Sequence, residues 1–402
     1  MSNSNTNPIH PRMPLLAMLL MASAISAEGP LDRSWRSLGM GGAGVAISDD
    51  LDAVHQNPAG LSQMGFKGSC APLDNLGYNR SVVDAWLMGV GVDVNPVLAM
   101  KLYRFYDKYD SSFNAAQADP KGLLKDQQLF NDIYQFDRLP IPVKASLDIG
   151  GALRNYGAAI WTDNQVSVQL DRGALLPKAG LRLTSTIAAE GATSRSFFGD
   201  RLNLGFGYRL VARTDEFREY DVTELQSKAQ DEAPRLIFKS LSNLRRSEDW
   251  GHGMDFGFIW FQQPGLRYAG SIQNVGMKFY GKFLKPDLAL GLAWAPRSFQ
   301  RNDMWGRKIN FALSGSGLLD DTLGYKPLSK LNVGAEWEQT VIPHVLVGRL
   351  SVGLKGGYYT AGASGTILHI FKGDFLTYAE EGGKFTGAQE NRYYLVRMGI
   401  GI

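Results

Sequence analysis

Histidine, cysteine and paired acids are the residue types from which most catalytic and metal sites are built, and in this chain they are scattered. His10, His55, His252, His344 and His369 fall in no H-E-x-x-H or Cys/His spacing that would bring ligands together on one element. Cys70 is the single cysteine, so no disulfide can form within one chain. There is no G-x-S-x-G elbow, the nearest shape being Gly315-Ser316-Gly317 in a turn-like setting. His252 and Asp255 share a strand-like stretch with opposite parity, which sends their side chains to opposite faces. A lipase-type triad of Ser, His and Asp from separate strands leaves no fixed spacing and is the enzymatic alternative. No catalytic residue, metal ligand or cofactor is assigned, and the chain reads as a non-enzyme.

Gly39, Gly41 and Gly44 match G-x-G-x-x-G, the spacing of a dinucleotide-binding turn. That chemistry needs an apolar strand before the glycines, a crossover helix after them and an acid roughly 20 residues on. Upstream stand only Arg33, Ser34 and Arg36, while Asp49, Asp50 and Asp52 come too early and Pro58 ends any helix begun at Ser48. The competing use of glycine and alanine is tight packing against surrounding walls. The stretch 34–62 therefore reads as a plug folded inside a barrel.

The elements around it support that reading. Met13 to Ala27 is an apolar run after Arg12, too short to span a membrane, and reads as a secretory signal cleaved near residues 24–27. Net charge is +3 over 402 residues, +2 once Arg12 leaves with the signal, which implies no nucleic-acid partner. Forty-six glycines suit many strands with tight turns. No later stretch approaches 18 uninterrupted apolar residues.

Beyond Pro142 a period of two recurs. Leu202, Leu204, Phe206, Tyr208 and Leu210 alternate with Arg201, Asn203, Gly205, Gly207 and Arg209; Leu331, Val333, Ala335 and Trp337 alternate with Asn332, Gly334, Glu336 and Glu338. One face is large and apolar, the other small or charged, as in a barrel facing lipid outward. Trp250, Trp260, Trp294 and Trp305 fall near strand ends, where an aromatic girdle would sit. The fold class is all-β: a transmembrane antiparallel β-barrel of about 14 strands with an N-terminal plug and helical loop insertions. The strands are expected near 143–150, 154–162, 164–170, 178–189, 201–211, 251–261, 266–273, 287–295, 306–315, 329–339, 345–355, 363–371, 373–379 and 391–402, with 66–73 and 97–103 as further candidates.

Short turns at Gln262–Gly265, Thr340–His344 and Thr162–Asn164 are expected on the periplasmic side, and the 316–328 and 380–390 loops outside. Helical segments are expected in the insertions near 119–137 and 213–250, the first capped by Asp119, the second broken at Pro234. The last strand runs to Ile402 and resembles the carboxy-terminal signal read by the barrel-assembly machinery, though it ends in isoleucine rather than an aromatic residue.

Gly39-Met40-Gly41-Gly42-Ala43-Gly44, then Asp49-Asp50, then Asn57-Pro58-Ala59-Gly60-Leu61 resembles the start of outer-membrane proteins of the long-chain fatty-acid transporter (FadL-like) superfamily, which includes PorV-like proteins of a bacterial secretion system. The resemblance implies an amino-terminal hatch within a fourteen-stranded barrel, with Asn57, Pro58 and Ala59 in it; it covers about 30 residues. The hatch or gating candidates are Gly39, Met40, Gly41, Gly42, Gly44, Asn57, Pro58, Ala59 and Gly60.

The expected organisation is a signal peptide over 1–27, a hatch over 28–65 and a barrel over 66–402 in a bacterial outer membrane. Two functions follow. One is passive uptake of hydrophobic molecules such as long-chain fatty acids, gated by the hatch. The other is a PorV-like non-conducting scaffold that binds secreted or surface proteins through its external loops. Partners implied are membrane lipid, a hydrophobic small-molecule ligand, the assembly machinery and, for the scaffold, secreted proteins.

Overall fold

The structure is a computed structural model that describes residues 34–64, 83–118, 127–133, 140–171, 178–221, 250–263, 265–279, 281–300, 305–319, 330–343, 345–381 and 390–401. Alternation in these segments produces strands whose two faces differ in size. In β6 (Trp250–Gln263), Met254, Phe256, Phe258 and Trp260 are exposed while Gly253, Asp255, Gly257 and Ile259 face the other way. Strands of this kind hydrogen-bond side by side and close on themselves, which leaves no free edge.

The ring comprises β1 (Val83–Val94), β2 (Pro140–Leu153), β3 (Tyr156–Asp171), β4 (Lys178–Phe197), β5 (Leu202–Asp221), β6 and β7 (Leu266–Val275). It continues past the two-residue strands β8 (Lys278–Phe279) and β9 (Lys282–Phe283), which form a separate small sheet, into β10 (Asp287–Trp294) and β11 (Arg307–Gly315). It ends with β12 (Leu331–Ile342), β13 (Leu346–Lys355), β14 (Tyr358–Ile367), β15 (Phe371–Glu381) and β16 (Glu390–Gly401). Each strand is antiparallel to its neighbour, and β16 closes on β1 through Gly89↔Gly399 and Gly91↔Arg397. The result is a closed antiparallel barrel of fourteen strands. No helix among the described residues is long and apolar enough to cross a membrane; the strands carry the apolar belt, with Leu87 61%, Val352 58% and Met398 67% exposed.

The strand total matches the expected one, but its composition differs. β3 is one strand where 154–162 and 164–170 were expected, and the turn expected at Thr162–Asn164 is mid-strand, Thr162 facing Leu147 and Ile187. Polar Thr162, Asp163 and Asn164 resemble a turn, yet each pairs with both neighbouring strands, opposite Leu147, Ser146 and Ala145 on β2 and Ile187, Thr186 and Ser185 on β4. β1 was not foreseen, because its register shifts between Trp86 and Gly89 and breaks the alternation. Residues 97–103, a candidate strand, lie in helix. β4 and β5 run to Phe197 and Asp221, past the expected ends, so 213–221 is strand rather than the start of a helical insertion. Helix covers Gln127–Ile133 within the expected 119–137 stretch, whose other residues lie outside the described ones, and a further helix, Pro96–Ala118, precedes it. The expected signal, the 66–73 candidate and the 222–249 helices lie outside the described residues.

β4 and β5, at 20 residues each, outreach the 8 to 12 residues of β10 to β16. Their far ends carry the exposed pairs Arg182–Asp215 and Lys178–Glu219, side chains suited to water above the belt. The short connections after Leu153, Phe197, Gln263, Ile342 and Ile367 share one end of the barrel with the longer 295–306 connection; the 95–139, 222–249 and 316–330 connections share the other end with the tight turn after Lys355.

Candidate functional site

Residues 34–64 fold into two helical turns and a 3-10 helix held by local hydrogen bonds. Ser34 caps α1 (Trp35–Gly39), its Oγ accepting from Ser37 N at 3.0 Å and donating to Asp52 Oδ2 at 2.7 Å. Gly41 and Gly42 follow at φ +70° and +87°, a left-handed turn that residues with a Cβ enter at a cost. α2 (Asp52–Gln56) ends at Asn57, whose Oδ1 accepts from Ala59 N at 3.2 Å and caps the 3-10 helix Pro58–Gln63. Nearly every residue of the stretch is buried, Met40, Asn57, Ala59, Leu61 and Met64 to within 1%.

The wall answers with glycine on its inward face. A Cβ at Gly257 would overlap Asn57 Oδ1, and one at Gly205 would overlap the Pro58–Ala59 backbone. Cβ atoms at Gly334 and Gly353 would strike Met40, and one at Gly291 would strike Val45. The small residues of the alternating pattern are therefore a footprint: the wall is cut back where the segment lies against it. Gly39 to Gly42 lie against β12, β13 and β14, and Asn57 to Ala59 against β5 and β6, so the candidates form two groups on different sides of the ring. Gly44 and Gly60 work inside the segment, against Ser37 and Gln56 and against Ser48 O respectively.

Two buried charge clusters fasten this arrangement. Arg36 makes a two-toothed pair with Glu336 (Nε–Oε2 2.6 Å, Nη2–Oε1 2.7 Å) and reaches Asp49 at 2.5 Å and Asp50 at 2.9 Å. Lys308 meets Asp49 at 2.8 Å, and Arg349, bound to Glu338 at 2.7 Å, lies 3.9 Å from Asp50. Burial pushes the Asp50 carboxyl up, against the pull of Arg36 and with a further push from Asp52, to about 7.

On the opposite flank His55 Nδ1 lies 2.8 Å from Glu190 Oε2, while Glu190 Oε1 accepts from Trp161 Nε1 at 2.7 Å and faces Arg209 Nε at 2.9 Å. Burial alone would lower the His55 pKa; the charge and hydrogen bond of Glu190, with Asp52 and Asp148 behind it, outweigh burial and raise it. Arg209 also donates to His55 O at 3.1 Å, and Gln273 donates to His55 O and Gln56 O. Arg397, paired with Asp374 at 2.6 Å, stacks over Trp35 and Trp86 at 4.6 and 4.1 Å.

Sequence reasoning missed Arg36, His55, Glu190, Arg209 and Glu336 as site residues. Arg209 and Glu336 were visible as charges in otherwise glycine-bearing rows; their partners, up to 300 residues away, were not. His252 faces outward beside Tyr208 and Asp255 faces inward to Arg209, as their parity required. Among the described residues no group of three or more His, Cys, Asp or Glu is placed to hold a metal.

A second feature lies on the outer wall near the short-turn end. An apolar groove of about 480 Å³ is floored by Gly157, Ala158, Gly191 and Ala192 and flanked by Tyr156 and Phe206. Directly behind it, a Cβ at Gly157 would overlap Val54 and crowd Leu61 of the segment. Val54, Leu61, Leu51, Met64, Trp86 and Ala192 form one apolar cluster there.

No family model matches the chain. No curated protein matches it. Among solved structures it is similar to the TodX monoaromatic hydrocarbon channel, as a deltaS2 mutant, at 9% identity and TM-score 0.45 over 92% of this chain and 98% of that one. It is also similar to CdiB from Escherichia coli, at 9% identity and TM-score 0.33 over 65% of this chain and 53% of that one, so it spans about half of CdiB. LpxR from Salmonella typhimurium follows at 11% identity and TM-score 0.27, over 78% of this chain and 99% of LpxR. At such identities the likeness concerns architecture alone, and no residue role is carried across.

Proposed function

We propose that this chain is an outer-membrane channel for passive uptake of small hydrophobic molecules, closed by residues 34–64 acting as a hatch. The observation that carries the reading is the thin wall at Gly157, Ala158, Gly191 and Ala192, with an apolar groove outside and the apolar cluster of Val54 and Leu61 inside. The residues lining the groove and those of the cluster behind it carry no charge, whereas the axial route past the segment is crowded by Arg36, Glu336, His55, Glu190 and Arg209. In this mechanism the solute binds better to a state in which the segment has shifted, and that difference in affinity opens the path. Asn57, Pro58, Ala59 and the glycines at 39, 41, 42, 44 and 60, with Met40, are the hatch's contact points.

The test is uptake of a fluorescent long-chain fatty acid by vesicles holding the purified barrel. Uptake above that of empty vesicles is expected, with a several-fold loss in Ala158→Trp and Gly191→Trp, whose new rings fill the outer groove without touching the segment. Uptake that ignores both variants would remove the lateral route.

A second reading, a PorV-like scaffold for secreted or surface proteins, is favoured by the buried ion pairs of Arg36 and His55, which hold the segment firmly in place. A barrel that passes no fatty acid even when those pairs are broken, and that carries a stoichiometric protein, would select it.

A further inference from the structure

The connection between β1 and β2 carries an apolar surface that the proposed channel does not use. It begins at Asn95, which is buried and turned inward, its Nδ2 donating to Asn391 Oδ1 at 2.6 Å. Asn95 Oδ1 accepts from Leu98 N at 3.0 Å, capping α3 (Pro96–Ala118) and fixing its first turn to the barrel rim.

One flank of α3 is occupied. Phe105 and Tyr109 are buried, with α4 (Gln127–Ile133) supplying buried Leu129 and Ile133 and its Asp132 bound to Tyr109 and Lys108 at 2.8 and 2.6 Å. The other flank is bare. Val97, Met100 and Tyr103 are 57%, 52% and 45% exposed, at helical spacing on one side. They continue the outward apolar row of β1, where Leu87, Met88 and Val90 face the belt. Lys101 borders this face and Arg104, seven residues after Val97, stands above Val97 on it; both are exposed, and neither has an ion pair among the described residues. Asp107, one turn further, marks where the face becomes mixed in charge. From Val97 to Arg104 the helix advances about 10 Å, two turns along its axis.

The geometry points to a lipid-docking face: the first two turns of α3 rest on the outer membrane surface, Val97, Met100 and Tyr103 entering the acyl boundary while Lys101 and Arg104 bind phosphate groups of anionic lipid. The occupant is the headgroup layer beside the barrel, because the apolar residues prolong the lipid-facing belt and the two exposed cations complement its charge.

A nitroxide label at Met100→Cys, in a Cys70→Ser background that removes the only native thiol, reads the outcome in the full-length barrel. Labels at Val352→Cys, in the belt, and Lys282→Cys, in the exposed β9 strand of the 276–286 connection, serve as lipid and water standards. In vesicles of mixed phosphatidylcholine and phosphatidylglycerol, label 100 is expected to favour oxygen over a water-soluble nickel relaxant several-fold more than label 282. Replacing the anionic lipid by phosphatidylcholine, or making Lys101→Gln with Arg104→Gln, is expected to reduce that preference; the lipid exchange needs no change in the helix. Label 100 matching label 282 in both lipids would overturn the proposal. So would a label shielded from both relaxants, the signature of a protein partner or a second copy on this face.

Discussion

His55 Nδ1 and Glu190 Oε2 lie 2.8 Å apart, joining residues 135 positions apart in sequence, one in the amino-terminal segment and one on the wall. The contact is strongest with the imidazole protonated, and Trp161 and Arg209 hold Glu190 ready for it.

That pairing makes docking of the segment depend on pH. His55 has a raised pKa, so its contribution is complete below about 6.5, the ordinary imidazole value, and is lost as pH rises through the raised one. Asp50 acts in the same direction. Its carboxyl keeps a proton up to about 7 against an ordinary 3.8, so the docked state binds more protons than the free one and weakens as pH climbs between those values. Protease cutting within 34–64 is expected to rise as pH is taken from about 5.5, below the ordinary imidazole value, to about 8.5, past the raised Asp50 one, while the barrel stays resistant. His55→Gln should flatten part of the profile; a profile unchanged by it would show that another group titrates.

Arg36 and Glu336 offer a test of the second cluster. Arg36→Ala leaves Glu336, Asp49 and Asp50 buried around a lost cation, at a cost of about 3–5 kcal/mol, typical for one half of a buried pair. The strand ladders do not include Arg36, so the expected result is release of the segment with the barrel's heat-modified gel mobility unchanged. Arg36→Met with Glu336→Met should recover much of the loss, since a well-packed apolar pair often replaces a buried ionic one. A barrel that fails to assemble in Arg36→Ala would instead make the segment part of the folding core.

Much of the architecture was legible because a strand reports its two faces directly. Gly205, Gly207 and Arg209 against Leu204, Phe206 and Tyr208 place the wall and its outward side without further help. What stayed hidden was whatever breaks period two or joins distant residues. β1 slips register at Trp86, β3 runs through a polar level, and the helix over 96–118 starts with Pro96 and Val97 in what looks like another apolar strand. The site was half visible. Small residues announced a tightly packed segment, but Gly257 meeting Asn57 is a fit across 200 positions, and a single sequence carries no trace of which glycine faces which residue.

That fit yields a steric prediction. Gly257→Val places a side chain where Asn57 Oδ1 and Pro58 sit, whereas a Cβ at Gly191, on the outer face, meets nothing within 4 Å. Overfilling a packed contact costs about 1–3 kcal/mol. Gly257→Val is expected to expel the segment, raising its protease sensitivity and the ionic conductance of single barrels in planar bilayers, with Gly191→Val silent in both. Equal behaviour of the two would mean that the inward glycines are not a footprint.

Asn57 carries the most hydrogen bonds of the segment's predicted contact points, and its two ends can be separated. Its Nδ2 donates to Val45 O at 2.9 Å and Phe258 O at 3.3 Å, tying two turns of the segment to each other and to β6; its Oδ1 caps the 3-10 helix through Ala59 N. Asn57→Ala loses all three and leaves Val45 O without that donor in a dry site, at about 2–4 kcal/mol summed from ordinary buried hydrogen bonds. Asn57→Asp keeps the cap but turns an acceptor toward two carbonyl oxygens. Hydrogen exchange should therefore quicken throughout 43–48 and 58–63 in Asn57→Ala, whereas in Asn57→Asp the 58–63 turn keeps its protection and 43–48 loses it. If both variants lose protection equally in both stretches, the cap has no stabilising role of its own, and the link to Val45 alone sets the register of the segment against the wall.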